Sequence, residues 1–174
     1  MQHKASFSWR NFNAVPIIGI VRGMDFKTVM EIAQTYTKAG FSTLEVTMNT
    51  KDVQTIIGKL RTQFPDLNVG AGTVCTLKDF KLAKLAGAQF IVTPIMQEEV
   101  IKRSVEEEIP IFPGAYTPTE IYKAWSLGAS AIKIFPATQL GPQFIKDMLS
   151  PLDSVNLLPT GGVSKENIRS YFEA

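Results

Sequence analysis

Short apolar runs alternate with amphipathic stretches along the chain. Each run is rich in Val, Ile, Leu or Phe and short enough for one strand, so seven β-strands are predicted, at 16–21, 42–48, 68–74, 90–94, 109–112, 129–135 and 155–159. The stretches between the runs have helical periodicity. In the first, Val29 and Ala33 share one face and Gly40 marks the end. In a later one, Thr117 and Glu120 have the spacing of a capping box.

This order is a strand followed by a helix, repeated seven times at short intervals. Nearly continuous apolar strands that alternate with helices indicate a parallel sheet covered by helices. The chain has no G-x-G-x-x-G motif, so a (β/α) barrel is favoured over a dinucleotide-binding fold. Since no linker or low-complexity tract interrupts the pattern, we expect one domain over 1–174. Within it, 1–14 is predicted to cap the bottom of the barrel through Phe7, Trp9 and Phe12.

Composition and charge exclude several classes of function. The 174 residues are 45% hydrophobic, and 18 Lys and Arg against 16 Asp and Glu leave a net charge of +2, which is no signature of a nucleic-acid or membrane partner. The single cysteine, Cys75, excludes an intramolecular disulfide, and the single histidine, His3, argues against a His/Cys metal cluster or a Ser-His-Asp triad. The N-terminus has no apolar signal core and 14–21 is too short to span a bilayer, so we expect a cytoplasmic protein.

Two charged residues stand alone inside the predicted strands, Glu45 in TLEVTM and Lys133 in AIKIFP. Side chains alternate between the two faces of a barrel strand, so both charges point inward if their apolar neighbours face the helices. Burial lowers the pKa of a lysine, which then attacks carbonyl carbons to form a Schiff base, while a nearby carboxylate moves protons. The alternatives are a structural Glu45–Lys133 ion pair and a lysine that reaches water at a strand end.

Further candidates follow the strands, at the end where barrel active sites form. Arg22 comes directly after the first strand and could bind a carboxylate or phosphate, with a solvated loop arginine as the alternative. Thr73 ends NVGAGT, where two glycines let the backbone approach a ligand closely. Thr160, Gly161 and Gly162 end the seventh strand and predict a phosphate-binding turn, although an ordinary turn would have the same sequence.

Six motifs are spread over nearly the whole chain from about Val15: LEVTMNT, GAGTV, FIVTP, IPIFPGAYTPTE, AIKIFPA and LLPTGG. Together they resemble the 2-keto-3-deoxy-6-phosphogluconate (KDPG) aldolases, also known as 4-hydroxy-2-oxoglutarate aldolases. The resemblance implies a class I aldolase on a TIM (β/α)8 barrel, with Lys133 as the Schiff-base lysine and Glu45 as the acid/base group. It implies cleavage of KDPG to pyruvate and glyceraldehyde 3-phosphate, and of 4-hydroxy-2-oxoglutarate to pyruvate and glyoxylate.

The same resemblance implies binding roles at other positions. Thr73 matches a residue near the pyruvate carboxylate, and Pro94 and Phe135 match residues that line the pyruvyl pocket. Gly161 and Gly162 match part of a phosphate cradle. Members of the family are typically homotrimers without a metal or organic cofactor. The expected partners are therefore a small 2-keto acid and further copies of the chain.

The chain departs from the family pattern at the keto-acid end. Many members have an arginine in the position of Asn49, so Arg22 becomes the candidate for holding the carboxylate. The branch acting on 2-keto-3-deoxy-6-phosphogalactonate resembles this chain in pairing an Arg-Gly after strand one with an asparagine after strand two. Thr160 instead resembles the gluconate branch, and its hydroxyl could bond a substrate hydroxyl. The sequence is therefore compatible with either the gluconate or the galactonate epimer as the substrate.

The number of strand–helix units leads to one more expectation. A TIM barrel has eight units, and this chain ends in the helix after strand seven. We therefore expect a C-terminally incomplete barrel with only seven βα units, its eighth strand and helix missing, which keeps a non-catalytic keto-acid-binding paralogue as an alternative. A metal-dependent aldolase would need an acidic ligand set, whereas Glu45 is the only carboxylate in the predicted strands.

Overall fold

The computed structural model describes residues 6–174, so His3 and the start of the predicted capping segment lie outside the described residues. Within this range the helices are α1 (Trp9–Ala14), α2 (Phe26–Lys38), α3 (Val53–Gln63), α4 (Leu77–Ala86), α5 (Glu98–Glu106), α6 (Pro118–Ser126), α7 (Ala137–Leu149) and α8 (Ile168–Phe172). The strands are β1 (Gly19–Val21), β2 (Thr43–Thr47), β3 (Asn68–Gly72), β4 (Ile91–Val92), β5 (Ile111–Phe112), β6 (Gly114–Ala115), β7 (Ile132–Ile134) and β8 (Leu157–Pro159).

All strand pairs in the described residues are parallel. One sheet has the order β1-β2-β3-β4-β5 and a second has the order β6-β7-β8. Within each sheet, strands that are neighbours along the chain are thus neighbours in space, which is the order of a (β/α) barrel. The α/β class and the barrel-type order predicted from the sequence are confirmed, whereas the count of seven units stays a prediction.

Pro113 separates the two sheets. The predicted fifth strand ends at 112, as β5 does, but a further strand that was not predicted, β6, begins two residues later: β5 pairs with β4, and β6 pairs with β7. A proline has no N–H to give to a strand ladder, but the Pro113 carbonyl still accepts the Lys133 N–H at 2.9 Å. The pairing then places Gly114 directly opposite Lys133.

The first and fourth strands are shorter than the apolar runs that predict them. β1 begins at Gly19 rather than at 16, because Pro16 has no N–H and the Ile17 N–H donates to the Val15 carbonyl at 2.8 Å. β4 likewise ends two residues before Pro94. The prolines therefore shorten the hydrogen-bonded strands, while apolar residues of the same runs stay in the core.

The side chains of the strands alternate between two environments. Leu44 and Val46 of β2, and Ile132 and Ile134 of β7, are fully buried among side chains of the helices. Because successive side chains point to opposite faces of a strand, the residue between each pair points away from the helices, as predicted. These intervening residues are the two charged ones, Glu45 in β2 and Lys133 in β7.

Aromatic rings pack beside the segment that precedes β1. Phe7 and Phe12 contact Phe90 and Phe112, with ring centroids 5.4 to 6.2 Å apart. Phe90 lies immediately before β4, so the contact is at the N-terminal ends of the strands. Trp9 and Phe12 of this segment also line the cavity that holds Glu45 and Lys133.

Local hydrogen bonds fix the helix ends. The Asp25 carboxylate accepts the Thr28 N–H at 2.9 Å at the start of α2, and Gly40, with a φ of 89°, follows its end as predicted. Thr117 and Glu120 form the predicted capping box of α6. The helices are short, and none in the described part of the chain is long and apolar enough to cross a membrane.

Candidate active site

Glu45 and Lys133 share one cavity inside the fold. Glu45 lies at the centre of β2 with 2% of its surface exposed, and Lys133 lies at the centre of β7 with 4% exposed. Both line a cavity of about 940 Å³, whose wall also includes Thr160 and Gly161. Four of the ten predicted site residues therefore meet at this cavity. Within residues 6–174, no group of three or more His, Cys, Asp and Glu side chains is placed to hold a metal ion.

The two charged groups do not form a structural ion pair. Among the ion pairs of the described residues, none joins Glu45 to Lys133, although each charge shifts the pKa of the other. A buried amine and a buried carboxyl that are separated, and that both open on a cavity, leave room for a small ligand between them.

Burial shifts the pKa values of the two groups toward each other. It raises the pKa of Glu45 from 4.5 to about 7, against the opposing charges of Lys133 and Arg22. It lowers the pKa of Lys133, where Glu45 opposes the shift and Arg22 adds to it. A carboxyl with a pKa near neutrality both donates and accepts protons, and an amine with a lowered pKa is more often an uncharged nucleophile. Such a pair in a cavity is typical of a catalytic site.

The ring of Phe135 borders the lysine. Lys133 Nζ lies 5.0 Å from the ring centroid, within cation–π range. A Cβ added to Gly161 would stand 3.2 Å from the same ring, so the glycine packs on it. Phe135 thus connects the buried amine to the turn that follows β8.

Thr73 and Pro94 lie at the ends of neighbouring strands. Thr73 follows β3 with a φ of 57°, a left-handed conformation that is costly for a β-branched residue and that is common at functional sites. Pro94 is held by Thr93, whose Oγ1 donates to the Ile95 carbonyl at 2.5 Å and accepts the Gly114 N–H at 3.3 Å. The backbone on either side of Pro94 is therefore held by two hydrogen bonds of Thr93.

Arg22 and Asn49 lie in the turns that follow the neighbouring strands β1 and β2. Both are exposed, and the cavity wall formed by the described residues includes neither. The charge of Arg22 nevertheless lowers the pKa of Glu45 and of Lys133. The arginine therefore places positive charge beside the pair, where an anionic group of a ligand would be attracted.

The Thr160–Gly162 turn is tied to α7. Gly161 and Gly162 have φ values of 86° and 79°, and the first two N–H groups of α7 donate to the carbonyls of Thr160 and Gly161 at 2.8 and 3.0 Å. The Thr160 hydroxyl donates to the Leu158 carbonyl at 3.1 Å. Toward a ligand, this hydroxyl can then act as a hydrogen-bond acceptor.

Three contacts of the site are not predicted from the sequence. Lys165 lines the cavity wall, Gly72 packs against the Glu45 carboxyl, and the Thr50 hydroxyl bonds the loop after β1. The sequence signal for Lys165 is a basic residue shortly after the pair Gly161 and Gly162. The signal for Thr50 is its place as the last residue of the LEVTMNT motif. The contact of Gly72 depends on the register between two strands, which the sequence does not display.

Residues 10–174 match the family model described as KDPG and KHG aldolase. The chain belongs to this aldolase family. The resemblance drawn from the six motifs is thereby confirmed, and with it the lyase class.

Two curated aldolases illustrate how similar the sequences are. The 2-dehydro-3-deoxy-phosphogluconate aldolase of Haemophilus influenzae is 36% identical over 163 residues, which are 93% of this chain and 76% of that protein. The 2-dehydro-3-deoxy-6-phosphogalactonate aldolase of Escherichia coli is 33% identical over 162 residues, which are 92% of this chain and 79% of that protein.

Solved structures of aldolases have the same fold. A native KDPGal structure superposes with a TM-score of 0.89 at 30% identity, over 97% of this chain and 81% of that one. The KDPG aldolase of Legionella pneumophila, with pyruvate captured as a covalent carbinolamine intermediate, gives a TM-score of 0.87 at 29% identity, over 93% of this chain and 79% of that one.

Proposed function

We propose that this protein is a class I aldolase that cleaves KDPG to pyruvate and glyceraldehyde 3-phosphate, and that it also cleaves 4-hydroxy-2-oxoglutarate to pyruvate and glyoxylate. One observation carries the proposal: the Lys133 amine and the Glu45 carboxyl are buried in one cavity with their pKa values shifted toward each other. The activities named for the related aldolases support it. The carbinolamine of the Legionella pneumophila enzyme is the kind of adduct that a buried amine forms with pyruvate.

The first half of the reaction builds an electron acceptor on the lysine. The uncharged Lys133 Nζ attacks C2 of the keto acid, and the carbinolamine that results loses water to become an iminium ion. Burial favours this step because it lowers the pKa of Lys133 and so raises the fraction of free amine.

The second half breaks the carbon–carbon bond. The Glu45 carboxylate takes the proton of the C4 hydroxyl, the C3–C4 bond breaks, and its electrons move into the iminium to give an enamine. The aldehyde leaves, C3 regains a proton, and hydrolysis of the iminium frees pyruvate and Lys133. A pKa of about 7 lets Glu45 accept the first proton and return it at C3. No metal or organic cofactor enters this proposed reaction.

We assign the keto-acid end of the substrate to residues at the ends of the first four strands and to one ring. Arg22 and Asn49 hold the carboxylate together with Thr73, while Pro94 and Phe135 enclose the methylene and carbonyl carbons. The positive charge of Arg22 beside the buried pair supports this assignment.

We assign the phosphate end to the turn after β8. Gly161 and Gly162 have left-handed backbones, which present successive N–H groups to an anion. Lys165 adds a positive charge to the same part of the cavity wall. Thr160 lies between the two ends of the site, where its hydroxyl can accept a bond from a sugar hydroxyl.

A second candidate substrate is 2-keto-3-deoxy-6-phosphogalactonate. Arg22 after β1 and Asn49 after β2 support it, because they resemble the galactonate branch of the family, which pairs an Arg-Gly after strand one with an asparagine after strand two. The similarity to the Escherichia coli galactonate-type aldolase and to the native KDPGal structure supports it as well. Rates of cleavage of both epimers, and of 4-hydroxy-2-oxoglutarate, by one preparation would rank the substrates.

Reductive trapping tests the proposal. The protein is incubated with pyruvate and then with borohydride, and the modified peptide is located after digestion. We expect the adduct on Lys133, no adduct in Lys133→Met, and an unchanged adduct in Lys123→Met, which removes an exposed lysine of α6. A folded protein that traps no pyruvate would contradict the aldolase. Binding of pyruvate without turnover of any of the three substrates would instead identify a non-catalytic keto-acid-binding paralogue.

The proposal includes a homotrimer, as the family resemblance implies, and a location in the cytoplasm. Sedimentation equilibrium at several protein concentrations tests the assembly, and cell fractionation tests the location. A mass of one chain at all concentrations would contradict the trimer.

A further inference from the structure

Thr50, the last residue of the LEVTMNT motif, is buried and connects two turns. Only 4% of its surface is exposed, although threonine in a turn is usually exposed. Its Oγ1 accepts the Gly23 N–H at 3.1 Å and lies 3.1 Å from Thr47 Oγ1. We propose that Thr50 is a positioning residue that holds the loop after β1, and with it Arg22, at the keto-acid end of the cavity. This inference rests on the proposed aldolase function.

The strand register brings the two turns together. Val21 of β1 pairs with Val46 of β2, so the next residue, Arg22, is level with Thr47. The chain then folds back after β2, because the Thr50 N–H donates to the Thr47 carbonyl at 2.9 Å. This turn returns the Thr50 hydroxyl to the end of β2, where it reaches the loop of the neighbouring strand.

The loop after β1 needs such an anchor because its own backbone is permissive. Gly23, next to Arg22, has a φ of 66°, and no atom would lie within 4 Å of a Cβ added there. A glycine in open space has the largest conformational freedom of any residue, so packing does not fix this turn. The Gly23 N–H donates to Thr50 Oγ1 and ties the loop to the end of β2, while Asp25 fixes the other end of the loop at the start of α2.

The position of Arg22 matters for the buried pair. Its charge lowers the pKa of both Glu45 and Lys133, so the guanidinium acts on both reacting groups. A loop that is free to move would take this charge, and the proposed carboxylate contact, away from the cavity. Thr50 therefore acts on catalysis through Arg22 and does not touch the substrate itself.

The test compares Thr50→Val, which keeps the shape and removes the hydroxyl, with Thr50→Ser, which keeps the hydroxyl. We expect Thr50→Val to raise the KM for KDPG about tenfold and to change kcat less than about threefold, because it weakens the binding of the carboxylate in ground and transition state alike. We expect Thr50→Ser to restore KM to within about twofold of the parent value.

Thr43→Val, at the start of β2, is the matched control for Thr50 in the turn after β2. Thr43 is fully buried and its Oγ1 accepts a bond from the Asn68 side chain at 3.3 Å, at the opposite end of β2. The loss of this hydroxyl should lower stability and leave KM unchanged. A rise in KM for Thr50→Val but not for Thr43→Val then separates positioning from a general loss of stability.

A double-mutant cycle with Arg22→Ala decides whether Thr50 acts through the arginine. In the Arg22→Ala protein, Thr50→Val should raise KM by less than about twofold, because the group that it positions is gone. If the parent protein traps no pyruvate on Lys133, the proposed function fails and this inference fails with it. If the parent traps pyruvate, an unchanged KM in Thr50→Val, or an equal rise with and without Arg22, overturns the positioning role alone.

Discussion

The Glu45 carboxyl group packs directly against the backbone of Gly72. A Cβ added to Gly72 would stand 2.7 Å from Glu45 Cδ, closer than real Cβ atoms approach any neighbour. β2 and β3 are paired so that Gly72 is level with Thr47, one pleat beyond Glu45 on the same face of the sheet. Only a glycine leaves room for the carboxyl at this place.

Gly72→Ala is therefore expected to displace the carboxyl rather than to disturb the helices. The new methyl group would push Glu45 away from the substrate, and kcat for KDPG should fall about a hundredfold or more, the usual effect of a lost acid/base group. Trapping of pyruvate on Lys133 should fall less, because the lysine is on a different strand. Steady-state kinetics, with circular dichroism to confirm folding, would check this; a folded variant with the parent kcat would contradict it.

Gly58→Ala is the matched control and carries its own prediction. Gly58 lies inside α3, and the nearest atom to an added Cβ would be the Ala86 carbonyl oxygen, at an ordinary 3.8 Å. An alanine in a helix restricts the unfolded chain without a clash, so the free energy of unfolding should rise by roughly 0.5–1 kcal/mol. Urea unfolding would measure the gain, and kcat should not change.

Sequence patterns were sufficient for the features that depend on neighbours along the chain. The period of two in TLEVTM and AIKIFP placed Glu45 and Lys133 on the face away from the helices, and the spacing of Thr117 and Glu120 placed a helix cap. These predictions succeed because strand alternation and helix capping are local rules.

Features that depend on register between strands were not predictable in the same way. The contact of Gly72 with Glu45 and the bond from Gly23 to Thr50 join segments about 27 residues apart, and they follow from which residue of one strand faces which residue of the next. The short strand β6 is a further example: it follows Pro113, whose carbonyl accepts the Lys133 N–H, and only the pairing with β7 identifies it.

Arg22→Ala is expected to move the pH profile of cleavage. The charge of Arg22 lowers the pKa of Lys133 and of Glu45, so its removal raises both. The lysine must be uncharged to attack and the carboxyl must be ionised to take a proton, hence the acidic limb of kcat against pH should shift to higher pH. Arg103→Ala, which removes an exposed arginine of α5, should leave the profile unchanged. A shift to lower pH in Arg22→Ala would contradict the electrostatic role.

Thr160→Val is expected to reduce the discrimination between the gluconate and galactonate epimers. The Thr160 hydroxyl already donates to the Leu158 carbonyl, so it can serve the substrate only as an acceptor, and valine cannot accept a hydrogen bond. The ratio of kcat/KM for the two epimers should change about fivefold to tenfold, while Thr160→Ser keeps it. An unchanged ratio would show that the Thr160 hydroxyl does not bind the sugar hydroxyl that distinguishes the epimers.

The burial of Glu45 should make the stability of the protein depend on pH in a defined window. Because the pKa of Glu45 rises from 4.5 to about 7 on folding, the folded chain holds a proton that the unfolded chain has released between these values. The free energy of unfolding therefore falls as pH rises from 4.5 to about 7, and the stability lost there does not return above pH 7.

Glu45→Gln removes this titration and tests it. The pKa of Lys133 is lowered by burial and gives the opposite slope at higher pH, so the comparison is made between Lys133→Met and the double variant Lys133→Met/Glu45→Gln. From about pH 5 to about pH 8, the single variant should lose on the order of 2 kcal/mol more stability than the double variant. Urea unfolding at the two pH values measures the difference. Parallel pH dependence of the two proteins would mean that the Glu45 carboxyl ionises as easily in the fold as in the unfolded chain.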